Sequence, residues 1–242
     1  MVVMFSITRN LYEYAPGIIQ NLVDTNPSVK KIYLFIEDNE FPYPLNPRVI
    51  TLNINNIPPL VKDDNPNKGN IWTKMAYTRC FIPKIIADEK IIYCDLDLIF
   101  YNGLERLWNI DFEGDYICAV EETSSCARRN PLPFPTPDRY INSGVLLMDL
   151  RAMRRDGIDL KICDLINGYK LNFPDQDAIN TICNGRVKYI SPSFNASKTT
   201  TGDPMGIPLT ICHCSQIKPW DKRSPYYNKW KLNNDKALGI SN

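Results

Sequence analysis

The sequence predicts an α/β fold: a mostly parallel sheet with helices packed on its faces. Three observations carry this. The chain opens strand–helix–strand. Its short apolar runs are unbroken instead of alternating with polar residues. One such run, Ile91 to Cys94, stops abruptly at the paired acids of Asp95-Leu96-Asp97. Uninterrupted apolar runs suit strands buried on both faces of a parallel sheet, whereas half-exposed strands alternate. The strand–helix–strand order is the beginning of a doubly wound arrangement.

Val2 to Ile7 reads as the first buried strand, running into the polar turn Thr8-Arg9-Asn10. Tyr14, Ile18, Ile19, Leu22 and Val23 mark one helical face that ends at Thr25-Asn26-Pro27. Ile32 to Ile36 and Val49 to Leu52 are the next two strands. Residues 58 to 70 are polar and turn-rich, hence a loop. A helix patterned by Trp72, Met75, Ala76 and Arg79 closes near Pro83 and precedes the strand with the two aspartates. Leu104 to Trp108 is a short helix and Tyr116 to Val120 another buried strand.

Residues 121 to 138 contain Arg128-Arg129 and a Pro-rich run that neither helix nor sheet can absorb. A loop that long in a compact domain usually serves a function or is disordered. Ile141-Asn142-Ser143-Gly144 leads into the core strand Val145 to Met148, and a helical region covers Arg151 to about Lys170. Pro174 and the acids after it suit a helix N-terminus. Val187 to Ile190 is a strand, and Thr210 to Cys214 is the last, holding the only histidine, His213. The remainder is aromatic and basic.

Composition removes several functions. The chain has 242 residues, 28 Lys+Arg against 27 Asp+Glu, and a net charge of +1, without the basic excess of a nucleic-acid binder. A hydrophobic content of 44% is enough to bury a sizeable core. No apolar run approaches the roughly 18 residues of a membrane span, and Met1 to Ile7 is too short for a secretory leader. Most of the eight cysteines, Cys80, Cys94, Cys118 and Cys183 among them, lie in apolar runs. They read as small hydrophobes in a reduced, cytoplasmic chain. Cys212-His213-Cys214 is not a zinc spacing, because neighbours on a strand point to opposite faces. No GxGxxG fingerprint is present.

Asp95 and Asp97, two apart on extended chain, project to the same side at the C-terminal edge of a strand, where α/β sheets open into their ligand crevice. Two such acids repel each other, and a divalent cation relieves the repulsion. The alternative is one aspartate capping the next turn and one merely solvated.

Taken with their neighbours, these residues resemble the family-8 glycosyltransferases, which include glycogenin and bacterial galactosyl- and glucosyltransferases of surface polysaccharides. The resemblance covers most of the chain and rests on five fragments in order: Tyr77-Thr78-Arg79, Tyr93-Cys94-Asp95-Leu96-Asp97, Asn142-Ser143-Gly144-Val145-Leu146-Leu147, Phe173-Pro174-Asp175-Gln176-Asp177, and His213 with Lys218-Pro219-Trp220. It implies a single GT-A-type, Rossmann-like domain over 1–242, with a nucleotide-binding half (about 1–100), a sugar and acceptor half (101–220) and a C-terminal aromatic-basic helix (221–242). It also implies transfer of a hexose from UDP-glucose or UDP-galactose, with retention, to a glycan, glycolipid or protein acceptor. Mn2+ is the implied cofactor, with Mg2+ as the alternative.

By that resemblance Asp95, Asp97 and His213 are the metal ligands, and Lys218 donates to the donor phosphates. Arg79, Asn142, Ser143 and Asp175 bind the donor sugar, and Gln176 lies nearest the anomeric carbon, with Asp175 beside it. Ser6, Thr8, Asn10, Tyr14 and Leu96, together with Asp95 and Lys218, belong to the nucleotide subsite, with Tyr12 as the rival for base stacking. Loops 62–70 and 121–138 are candidates to cover the donor or hold the acceptor. One departure stands out: the family spacing His-x5-Lys with a central Gly is here His-x4-Lys through Ser215 and Gln216. Two further readings remain open, a glycogenin-like self-glucosylating enzyme and a nucleotide-sugar-binding module without turnover. The tail suits either an ordinary packed helix or peripheral contact with the inner membrane face.

Overall fold

The computed structural model describes residues 1–58, 60–67, 74–124, 137–201 and 208–240. Trp72, Arg128-Arg129 and parts of the two candidate covering loops lie outside the described residues.

Among the described residues nine strands and seven α-helices follow in chain order: β1 (Val2–Ser6), α1 (Ala15–Thr25), β2 (Lys31–Ile36), β3 (Val49–Asn53), α2 (Lys74–Ile85), β4 (Lys90–Cys94), β5 (Leu98–Phe100), α3 (Glu105–Trp108), β6 (Ile117–Glu121), β7 (Ile141–Asp149), α4 (Leu150–Arg155), α5 (Ile158–Gly168), α6 (Pro174–Ile182), β8 (Val187–Tyr189), β9 (Ile211–His213) and α7 (Tyr227–Leu238). A 3-10 turn, Arg9–Tyr14, links β1 to α1. Seven strands form one sheet in the order β3-β2-β1-β4-β7-β6-β8, and β5 pairs with β9 in a separate ribbon.

The main sheet is mostly parallel, as the sequence predicts, with one reversal. β7 runs antiparallel to both neighbours, β4 and β6. The strand bearing the paired acids is therefore parallel to β1 on one side and antiparallel to β7 on the other, a direction its apolar run does not reveal. Burial on both faces makes the apolar run unbroken, and neither face tests strand direction.

Period-two alternation sorts the strand side chains between two cores. Val3, Phe5, Ile92 and Cys94 join the core under α1 and α7. Met4, Ile91, Tyr93, Leu146 and Met148 join the core under α2, α4, α5 and α6.

Local chemistry sets several boundaries. Pro16 lies in the first turn of α1, where a missing N–H costs nothing. α2 passes Pro83 and ends at Ile85, two residues beyond the expected close, by leaving helical geometry at Phe81 (φ −120°, ψ 17°). The helical region after Arg151 is two helices, α4 and α5, separated by Gly157 at φ +62°, a conformation glycine adopts without strain. α7 docks on α1 at Gly17, where a Cβ would meet Asn234 Cβ at 2.8 Å and Trp230 Nε1 at 2.9 Å. No helix among the described residues is long and apolar enough to cross a membrane.

Candidate active site

β4 ends at Cys94, and the next three residues bend the chain into β5. Backbone hydrogen bonds fix that bend at both ends. Asp95 N–H donates to Gly144 O, and Cys214 N–H donates to Asp97 O, both at 2.8 Å. β5 lies against β9 with Leu98 opposite His213. The two acids and the imidazole thus meet from positions more than a hundred residues apart.

Asp95, Asp97 and His213 each present one ligand atom, all within 4.8 Å of one another. Each carboxylate is divided in its contacts. Asp95 Oδ1 pairs with Arg79 at 2.8 Å and accepts from Tyr93 Oη at 2.8 Å. Its Oδ2 lies 3.9 Å from His213 Nε2. Asp97 Oδ2 pairs with Lys218 Nζ at 2.6 Å, and Oδ1 lies 3.4 Å from His213 Nε2. The outer oxygens are held by cationic side chains and the inner ones converge on the imidazole. Two carboxylate oxygens and an imidazole nitrogen at this spacing fit a hard to borderline divalent cation such as Mn2+ or Mg2+.

Burial would raise the Asp97 carboxyl and lower the His213 imidazolium, but each is overruled by its partner. His213 and Lys218 hold Asp97 well below the ordinary carboxylate range. Asp97 and Asp95 hold His213 above its ordinary value. Gly144 makes room for the imidazole. A Cβ there would meet His213 Cε1 at 2.3 Å and Nδ1 at 2.8 Å, so the glycine of Asn142-Ser143-Gly144 is needed for close approach.

Arg79, on α2, is 8% exposed and bridges the site. Besides Asp95 it pairs with Asp175 at 3.1 Å, donates to Ser143 O at 2.9 Å, and lies over the Tyr93 ring. Burial works against its charge, but Asp95 and the surrounding anions outweigh that and raise its pKa. Asp175, at the start of α6, is displaced upward by burial, with Arg79 opposing. The Ser143 hydroxyl donates to Asp175 Oδ2 at 3.3 Å. Ser143 N–H donates to Gln176 Oε1 at 2.8 Å, so the amide oxygen is turned toward the strand. Asn142 Nδ2 donates to Glu122 Oε2 at 2.9 Å.

These groups line a cavity of about 260 Å3. Of the residues expected at the site, it brings together Arg79, Asp95, Asp97, Asn142, Ser143, Asp175, Gln176, His213 and Lys218. The shortened His-to-Lys connection still carries Lys218 to Asp97.

Of the residues expected to bind the nucleotide, Asp95 and Lys218 line this cavity, whereas Ser6, Thr8, Asn10, Tyr14 and Leu96 do not. Ser6 shares a hydrogen bond with Thr78, and Thr8 donates to Asn10 Oδ1 at the end of β1. Leu96 is buried in the bend. Tyr14 stacks on Trp220, centroids 4.5 Å apart and planes 4° from parallel, and Trp230 Nε1 donates to its carbonyl. Tyr12 is buried, and its hydroxyl accepts from Glu37 N–H.

Among the lining or supporting groups that the sequence reading missed are Glu122 and Asn195. Glu122 is the second of two acids, Glu121-Glu122, that follow the apolar run Ile117 to Val120, a signal of the same kind as the acids after Cys94. Asn195 sits in a serine-rich stretch that reads as loop and gave no signal.

The family described as glycosyl transferase family 8 matches residues 3–224. General stress protein A of Bacillus subtilis is 28% identical over 199 residues, covering 69% of this chain and 70% of its own. A putative glycosyltransferase of Haemophilus influenzae is 30% identical over 168 residues, 63% of this chain and 51% of its own, so this chain matches about half of that relative's length. A solved galactosyltransferase, LgtC in complex with donor and acceptor sugar analogues, shares the fold with a TM-score of 0.68 at 19% identity, covering 100% of this chain and 97% of that one.

Proposed function

This chain belongs to glycosyl transferase family 8, and from that premise we propose that it is a retaining hexosyltransferase that takes UDP-glucose or UDP-galactose as donor and uses Mn2+. Glycosyl transfer to a glycan acceptor follows from the family. The donor, the ion and the stereochemistry are our reading. One observation carries it: Asp95, Asp97 and His213 converge on a single point at the end of β4, with Lys218 and Arg79 beside them.

In this reading those three residues hold the ion, which as a Lewis acid offsets the charge developing on the departing diphosphate. Lys218 stands beside Asp97 and is placed to donate to the same phosphates. Arg79 keeps Asp95 and Asp175 in register and neutralises them inside the cavity. Asp175, Asn142 and Ser143 supply carboxylate, amide and hydroxyl groups for the hexose. Ser6, Thr8, Asn10 and the backbone at Leu96 lie on the β1 and β4 edge that would receive the uridine, with Tyr14 or Tyr12 nearby.

The Gln176 amide oxygen is already engaged by Ser143 N–H, and an amide is a poor nucleophile. This favours a same-face substitution. The bond from the anomeric carbon to the diphosphate oxygen breaks, the acceptor oxygen bonds to that carbon on the same side, and its proton passes to the departing diphosphate.

Incubating the protein with a panel of UDP-sugars, with and without Mn2+, and reading free UDP tests the proposal. Cation-dependent release from a UDP-hexose, with the product keeping the donor's anomeric configuration, is the expected outcome. An inverted product, or a hexose covalently trapped on a side chain, would refute the same-face step. Release unaffected by a chelator would refute the role of the ion.

A further inference from the structure

A series of hydrogen bonds, each oriented by the one before, runs behind the cavity to the far side of His213. It begins at a donor whose identity is not a matter of assignment. The backbone N–H of Gly144 donates to Asn142 Oδ1 at 2.9 Å, which settles which end of that amide is oxygen. The Asn142 nitrogen turns to Glu122, an acceptor. Asn142 Oδ1 also accepts from Asn195 Nδ2 at 2.8 Å. The other end of Asn195, its Oδ1, is thereby directed at His213 Nδ1, 2.9 Å away. An amide oxygen can only accept, so Nδ1 must carry a proton.

Burial makes the arrangement binding. Asn195 is 0% exposed and His213 7%, so water is not at hand to replace the partner on the Nδ1 side. A deprotonated Nδ1 would set two lone pairs against each other in a dry site, at the cost of an unsatisfied buried acceptor. Nε2 faces the cavity, where a cation or water can meet it. Backbone pairing fixes the separation. His213 N–H donates to Ala196 O, and Ala196 N–H to Ile211 O, so Asn195 rides on a segment laced to β9. The Thr200 hydroxyl ties the Asn195 carbonyl at 2.6 Å.

We infer that Asn195, oriented by Asn142, is a positioning residue that keeps the proton of His213 on Nδ1 and reserves Nε2 for a divalent cation. The inference rests on the reading of Asp95, Asp97 and His213 as a metal site. Its physical basis is general: an imidazole ligand is oriented, and its tautomer set, by the acceptor bound to its other nitrogen. A purely structural Asn195 would fill space and satisfy Asn142 without governing what Nε2 can bind.

Because the chain has one histidine, a long-range 1H–15N spectrum of this chain contains one imidazole pattern. Nδ1 is expected to be of the protonated type in the metal-free protein and to remain so when Mg2+ or Cd2+ is added, with only the Nε2 resonance moving. An unprotonated Nδ1 in either state overturns the inference. Should no cation shift Nε2, the metal reading fails, while a protonated Nδ1 still upholds the assignment of the proton.

In Asn195→Ala the folded protein is expected to bind the cation about 10- to 100-fold more weakly by calorimetry. A lower melting temperature with unchanged cation affinity would show a structural role only, and would overturn the positioning role. If the variant does not fold, the wild-type spectrum decides.

Discussion

Gly144 lies directly beneath the imidazole of His213, so close that a methyl group on its Cα would stand 2.3 Å from ring carbon Cε1. The flexible end of a long side chain could swing away from such a contact. This ring cannot, because Asn195 and the β5–β9 pairing hold it in place. Gly144→Ala is therefore expected to push His213 out of reach of Asp95 and Asp97, with the sheet intact, since Gly144 φ is ordinary. Calorimetry should show Mn2+ affinity falling by at least about tenfold, as for other losses of metal-site support. Unchanged affinity would mean that His213 is not a ligand.

His213 and Asp97 are displaced in opposite directions. The imidazolium of His213 is raised above its usual value of about 6.5. Its contribution to stability is full below about 6.5 and lost as pH rises through the folded-state value. Asp97 is depressed, so its contribution is present above about 4 and lost as pH falls through its folded-state value. Without metal the protein should be most stable between those limits. A cation takes the place of the Nε2 proton, so its stabilising effect should grow from pH 6 to pH 8.5. Thermal melts with and without Mn2+ across that range check this, and a pH-independent shift would contradict it.

Arg79 neutralises two acids at once, the buried Asp175 and the partly exposed Asp95. Replacing it by Met leaves Asp95 and Asp175 facing each other across a dry gap, and breaking such a pair costs about 3 to 5 kcal/mol. Urea unfolding of Arg79→Met should show a loss of that order. Arg79→Lys should recover only part of it, since one ammonium cannot serve Asp95, Asp175 and Ser143 O together. Equal stability of the Lys variant and the natural protein would show that the fork geometry is unimportant.

Lys218 reaches the site over a shortened connection and is held there by Asp97 and by the carbonyl of Ser215. If its ammonium turns to the donor phosphates, Lys218→Met should weaken UDP binding in the presence of Mn2+. A charge-assisted hydrogen bond contributes about 1.5 to 3 kcal/mol, which corresponds to roughly 10- to 100-fold in affinity. A variant that binds UDP as tightly as the natural protein would assign Lys218 to holding Asp97 alone.

Much of this was readable in the residues. The apolar run from Ile91 into Asp95 placed a crevice at a strand end, because buried strands and their polar termini leave a strong local pattern. The same logic applied to the acid pair Glu121-Glu122, where β6 ends, would have pointed to Glu122. Direction was not readable: β7 is buried on both faces, and an antiparallel strand in that setting has no composition of its own. The three-residue strand Leu98–Phe100 was lost inside a longer apolar stretch, and with it the pairing that brings His213 to Asp97. Asn195 was beyond reach, since what distinguishes it is a hydrogen bond across 18 positions to a ring nitrogen.

The β5–β9 ribbon bears on biosynthesis. Of the three groups proposed to bind the ion, Asp95 and Asp97 emerge from the ribosome well before His213, so a chain synthesised short of residue 213 lacks the third group of the proposed cation site. Cation binding should therefore report on the final long-range closure of the molecule, which loop entropy makes a slow event. Adding the ion at different times during refolding would date that closure.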